Sequence, residues 1–196
     1  MSDFEVRSLD KSIFEVAAAG KYVLGGYAAV FGRWERINDR LEERIMPGAF
    51  AKTIKGRDVL ALWNHDDRYP LARQSAGTLR LQEDPQGLHA EIKLNPEIQY
   101  HKDLWHAIKD GTVKGMSFRF TVPDGGEQYE RGSIGRARRT LTQVTLYEVG
   151  PVTFPAYEAT SISARTEQRV HEIMHPDLVL RAKRLRLLAE AIRIGR

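Results

Sequence analysis

Hydrophobic and polar positions along the chain fall into two regimes. Across residues 22–154, short apolar stretches alternate with turn residues, at 22–31, 59–63, 77–81, 88–94, 116–122 and 141–149. Runs of this length bounded by Gly, Pro, Asn and Asp are strand signals. The run Leu88-His89-Ala90-Glu91-Ile92-Lys93-Leu94 alternates apolar with polar residues, as a half-buried strand does. Asp84-Pro85-Gln86-Gly87 lies between two such runs and predicts a hairpin turn. Two helices are expected among the strands, a short one over 47–54 and a longer one over 97–109. In the longer one, Ile98, Leu104, Trp105 and Ile108 form the apolar side and Gly111 marks the stop. Residues 125–139 are polar and glycine-bearing and read as a mobile loop or a long hairpin.

From Thr166 the period changes. Val170, Ile173 and Met174 fit one helical turn, Pro176 interrupts, and residues 178–194 are rich in Leu, Ala, Arg and Lys, a helical composition. The predicted fold class is mainly β with a few helices (α+β). Its expected organisation is an N-terminal segment over 1–14, the main domain over 15–164 and a basic helical tail over 165–196.

Charge sharpens the distinction between domain and tail. The chain has 196 residues and a formal net charge of +4. Residues 165–196 hold eight basic side chains against four acidic ones, so the tail carries the whole excess and the remainder balances. Such a tail suits an acidic partner, or simply a solvated helix face. The absence of cysteine rules out disulfides, thiolate zinc sites, iron–sulfur clusters and cysteine-based catalysis. No apolar run reaches the roughly 18 residues of a membrane-spanning helix. The start, Met1-Ser2-Asp3-Phe4-Glu5, lacks the basic-then-apolar order of a signal peptide. A soluble protein is expected, intracellular or packaged inside something assembled there.

Three short segments offer chemistry. In Leu62-Trp63-Asn64-His65-Asp66 a histidine stands where an apolar strand turns polar. In Gly115-Met116-Ser117-Phe118-Arg119-Phe120 a serine opens a strand. In Leu146-Tyr147-Glu148-Val149 a carboxylate interrupts an apolar run, where it must find a partner or be neutralised. Together these supply the three groups of a hydrolytic triad. A serine hydroxyl needs a base to take its proton, imidazole does this near neutral pH, and a carboxylate behind the imidazole fixes its tautomer.

The same residues carry a resemblance. Gly26-Tyr27-Ala28-Ala29-Val30-Phe31, Glu43-Arg44-Ile45-Met46-Pro47-Gly48-Ala49-Phe50, Asn64-His65-Asp66, Gly87-Leu88, Gly115-Met116-Ser117-Phe118 and Leu146-Tyr147-Glu148-Val149 follow one another in order. Pro151-Val152-Thr153-Phe154-Pro155-Ala156-Tyr157 completes the series. Over residues 20–164 this resembles the tailed-phage prohead protease family, whose enzymes also serve gene transfer agents. The resemblance implies a capsid-maturation serine endopeptidase with an assemblin-like β-barrel flanked by helices. It implies His65 as general base, Ser117 as nucleophile and Glu148 as the third member. The implied substrates are the scaffolding segment of the major capsid protein and the protease itself, cut inside assembling proheads in the host or producing-cell cytoplasm. Self-association is compatible with it, no cofactor or metal is expected, and neither membrane nor nucleic acid is an expected partner. Backbone N–H groups are the default oxyanion donors, with Arg119, Arg138 and Arg139 as side-chain candidates. One departure is Gly150, where many members of the family carry serine.

Two rival readings accompany this one. His171-Glu172-Ile173-Met174-His175 matches the HExxH pattern of zinc peptidases. Pro176 follows at once, however, and the metzincin continuation is absent. Alternatively the chain is a non-catalytic capsid-assembly or nucleic-acid-binding protein working through its basic tail. His101 and His106, five residues apart, do not share a helix face and read as structural.

Overall fold

A computed structural model describes residues 4–9, 14–16, 22–132, 135–155 and 162–194. In chain order the elements are β1 (Glu5–Leu9), β2 (Glu15–Val16), β3 (Val23–Val30), β4 (Glu35–Arg36), β5 (Leu41–Ile45), α1 (Ala51–Gly56), β6 (Leu60–Leu62), β7 (Pro70–Arg73), β8 (Leu79–Glu83), β9 (Gly87–Lys93) and α2 (Gln99–Lys109). There follow β10 (Gly115–Thr121), β11 (Glu127–Arg131), β12 (Ala137–Leu141), β13 (Thr145–Val152), α3 (Ala164–Met174) and α4 (Pro176–Ile194). The fold is mixed α+β and mainly sheet, and none of its described helices is long and apolar enough to cross a membrane.

Among the described residues three sheets form, in the orders β1-β10-β13-β6-β7, β2-β3-β9-β8 and β11-β12-β5-β4. They are open and do not close into the barrel that the resemblance implied. β2 and β4, at an edge of the second and third sheets, have only two residues each. A single isolated bridge, Phe31 to Ile45, links the second and third sheets among the described residues. The main core fills the space between sheets. β10 turns Met116, Phe118 and Phe120 inward, where Phe118 meets Phe50 edge-on. The alternate positions, Ser117 and Arg119, face the other side of that sheet.

Several local expectations hold. β8 and β9 pair antiparallel across the expected hairpin, where Asp84 Oδ1 accepts the N–H groups of Gln86 and Gly87. α2 buries His101, Leu104, Trp105 and Ile108, one stripe at helical spacing, and Gly111 follows it at φ +74°. His101 Nδ1 accepts the Asn95 N–H and Nε2 meets the Pro70 carbonyl, a structural role. The 125–139 segment is the β11–β12 hairpin. The 141–149 run is divided, because Val144 sits in the turn between β12 and β13. α3 and α4 are separate helices that meet at His175 and Pro176.

The pattern did not mark β1, β2, β4, β5 or β7 as strands, and it gave β12 only as part of a loop or hairpin. β1, β5 and β12 each turn a charged residue inward where an apolar one is expected. Glu5 and Arg7 of β1, Glu43 of β5 and Arg139 of β12 are all buried. Arg7 grips Glu43 through two bonds, Nε to Oε1 at 2.7 Å and Nη2 to Oε2 at 2.8 Å, and also reaches Glu5. Arg139 donates to Glu5, Glu43 and Glu127 at 2.6–3.0 Å. Ser163 and Thr166, at the start of α3, give their hydroxyls to Glu5 Oε1. The cluster thereby joins the N-terminal strand, two strands of the third sheet, the β11 edge and the start of α3.

Burial raises the Glu5 carboxyl, but the Arg139 hydrogen bond, the charges of Arg7 and Arg139 and the Thr166 hydroxyl outweigh it. They leave the carboxyl lowered from 4.5 to about 2. Removing one member strands its partners as buried unpaired charges. Arg139→Met is therefore expected to lower stability by about 3–5 kcal/mol in urea unfolding. Because the folded-state value of Glu5 is lowered, its contribution of about 3 kcal/mol is present above pH about 4.5 and disappears as the pH falls toward 2. Thermal midpoints measured across that window should drop in the wild type and much less in Glu5→Gln, which starts lower.

Candidate active site

The three chemically suggestive segments converge. β10 and β13 pair antiparallel in a register that sets Arg119 opposite Glu148 and Ser117 opposite Gly150. Ser117 and Glu148 therefore share one face of the sheet, two rows apart. β6 runs parallel to β13 on its other side, and the chain leaving β6 turns back over this face. That turn is made by Asn64 at φ 54° and His65 at φ 61°, both left-handed. Asn is tolerant of this region; for His it is a strained conformation held by its surroundings. Here the fastening is visible. The Asn64 N–H donates to Pro151 O, the Asn64 side chain bonds both the N–H and the hydroxyl of Thr153, and Arg119 Nη2 donates to His65 O at 3.2 Å.

The result is a series of contacts. Glu148 Oε1 lies against His65 Nδ1, and His65 Nε2 lies 2.7 Å from Ser117 Oγ. Glu148 and Ser117 are buried, and the His65 side chain is 15% exposed. A buried carboxylate facing Nδ1 favours the tautomer with its proton there, which leaves Nε2 free to accept the serine proton. Arg119 Nε stands 3.4 Å from Glu148 Oε1, so that oxygen meets both the imidazole and a guanidinium. Glu148 Oε2 is buried and has no hydrogen-bond partner among the described residues. Among the described residues, the close polar partners of this carboxylate's side chain are His65 and Arg119.

The three arginine candidates separate. Arg119 stays at the site, on the same face as Ser117. Arg138 pairs with Glu42 and stacks on Trp34, and Arg139 is engaged by three carboxylates of the buried cluster, so both guanidinium groups are occupied elsewhere. Two groups at the site carried no signal in the sequence. Ser8 Oγ and the Arg7 carbonyl, both on β1, each lie 2.8 Å from Ser117 Oγ. The rings of His171 and His175 lie 4.9 Å apart and tilted by 47°, and Glu172 is bonded to Gln168 and Arg169. Among the described residues no three His, Asp or Glu side chains are grouped to hold a metal ion.

The family model described as caudovirus prohead serine protease matches residues 2–175. The prohead protease of Enterobacteria phage HK97 is 31% identical over 161 residues, which cover 80% of this chain and 66% of that protein. The chain thus spans just under two thirds of the length of this relative. No solved structure matches it.

Gly150 is explained by close approach. A Cβ built there would lie 1.7 Å from the Leu62 carbonyl oxygen, a backbone atom that cannot swing aside. Leu62 precedes His65 by three residues, so any adjustment displaces the base. Gly150→Ser is expected to cost about 2 kcal/mol or more in thermal or urea unfolding, as overpacked interiors do. Unchanged stability would show that β6 can move away from β13.

Proposed function

The chain belongs to the caudovirus prohead serine protease family, and from that premise we propose that it is a capsid-maturation endopeptidase with Ser117 as nucleophile, His65 as base and Glu148 as orienting carboxylate. The observation that carries this reading is the continuous series Glu148–His65–Ser117, built from three segments far apart in sequence. As Ser117 Oγ attacks the scissile carbonyl, its proton passes to His65 Nε2. Glu148 holds the imidazole and stabilises the imidazolium. His65 then gives the proton to the leaving amine. Water, deprotonated by the same nitrogen, releases the acyl group and restores the serine. Backbone N–H groups beside Ser117 and the guanidinium of Arg119 are the proposed donors to the oxyanion.

The proposed substrates are the scaffolding segment of the major capsid protein and the protease itself, cut within assembling proheads in the host cell. Kinship with assemblin-type proteases remains part of the proposal, supported by the sheet-rich fold and by the chain order of His65, Ser117 and Glu148. We take the catalytic unit to run from β1 through α3, because β1 pairs with the nucleophile strand and α3 caps the buried cluster. α4 lies beyond the matched residues, with Leu178, Leu180, Leu185 and Leu187 exposed.

Co-expression with the major capsid protein, followed by intact-mass spectrometry, tests this reading. Capsid protein should be shortened by the wild type. Ser117→Ala should reduce turnover by about 10³-fold or more while the fold persists, and Glu148→Gln should cost less than loss of Ser117 or His65. A chelator should leave the rate unchanged. Shortening that persists with Ser117→Ala would overturn the proposal, and chelator sensitivity would redirect attention to His171 and His175.

A further inference from the structure

His65 is one of three groups around Ser117 Oγ. Its Nε2 is 2.7 Å away, and β1 supplies the other two, Ser8 Oγ and the Arg7 carbonyl, each at 2.8 Å. A hydroxyl has one proton and two lone pairs, so these neighbours cannot act alike. When Nδ1–H of His65 points to Glu148, Nε2 is an acceptor and takes the Ser117 proton. The lone pairs of Ser117 are then open to a donor. The Arg7 carbonyl has no proton to give. It can only accept the Ser117 proton, and while it holds that proton His65 does not receive it. Ser8 can donate in both states. It is therefore the neighbour on β1 that is compatible with attack.

Resting on the reading of Ser117 as nucleophile, we propose that Ser8 is a fourth member of the catalytic centre. Its hydroxyl donates to Ser117 Oγ, keeps that oxygen turned toward Nε2 and stabilises the negative charge that gathers on it as the proton leaves. The backbone makes this placement deliberate. β1 and β10 pair antiparallel with Ser8 opposite Ser117, so the two side chains are cross-strand neighbours on one face. On the opposite face the alternate residues Glu5 and Arg7 enter the buried charge cluster. The rival reading makes β1 a removable plug over the serine. Lifting the strand would strip two buried charges of their partners, a cost of several kcal/mol, so Ser8 is a fixed part of the site.

The test compares Ser8→Thr with Ser8→Val, which have nearly the same shape and both suit a strand, and differ in the hydroxyl. The whole 196-residue chain is treated with a fluorophosphonate probe, which phosphonylates an activated serine with loss of fluoride. The labelling rate and the thermal midpoint are both recorded. Ser8→Thr should label within about threefold of the wild type, and Ser8→Val about tenfold or more slower at a similar midpoint, as expected for loss of one donor to a reacting oxygen. Equal rates for the two variants would overturn the proposal. Should a branched variant fail to fold, Ser8→Ala, which adds no volume, decides in the same way, since labelling at the wild-type rate refutes it. Ser117→Ala separates the premise from the inference: labelling that survives in Ser117→Ala sinks the triad itself, whereas labelling lost there but normal in Ser8→Val sinks only the role of Ser8.

Discussion

The buried pairing of Glu5 and Glu43 with Arg7 and Arg139 is the constraint on which the remaining architecture depends. Charges removed from water must meet opposite charges with good geometry or they disfavour the fold. Here that requirement is met by residues from β1, β5 and β12, with Glu127 and the hydroxyls of Ser163 and Thr166 completing the set. Because Arg139 bonds three carboxylates at once, none of the contributing elements can shift independently. β1 is thereby fixed against β10, and with it the register that sets Ser8 beside Ser117.

The same cluster explains what the sequence shows and what it conceals. Strands whose inward residues are apolar, such as β3, β9 and β10, are legible in the pattern of positions alone. β5 is not, because Leu41-Glu42-Glu43-Arg44-Ile45 turns Leu41, Glu43 and Ile45 inward, and a central glutamate reads as solvent-facing. β1 is hidden by Glu5 and Arg7, and β12 by Arg139, for the same reason. A buried ion cluster inverts the usual sign of the hydrophobic pattern, and no single strand contains all its members. Only the assembled fold shows three carboxylates meeting the two arginines, with Arg165 3.7 Å from Glu127.

The candidate site was legible to a different extent. His65, Ser117 and Glu148 could be singled out as chemical types on separate segments, and the family resemblance supplied their roles. Their convergence depends on pairings of β13 with both β10 and β6 that no local pattern specifies. The left-handed turn at Asn64 and His65 was equally invisible, since it is held by Pro151 and Thr153 from a distant strand. Ser8 had no distinguishing context at all. An isolated serine in an N-terminal segment acquires meaning only through the strand opposite it.

The distribution of exposure gives the site a direction. Ser117 has no accessible surface and the Glu148 side chain only 4%, whereas the side chains of His65 and Arg119 are 15% and 32% exposed. A peptide carbonyl must come within bonding distance of Ser117 Oγ, so part of its cover has to yield. β1 is the wrong part, for its departure would separate Glu5 from Arg139 and Arg7 from Glu43. The wet edge of the site lies instead along His65 and Arg119. There the turn carries a strained residue and is fastened by a few hydrogen bonds, which cost far less to rearrange than buried ion pairs. Approach from that edge brings a substrate first to the base and the guanidinium, and leaves the hydroxyl pair of Ser8 and Ser117 undisturbed beneath it.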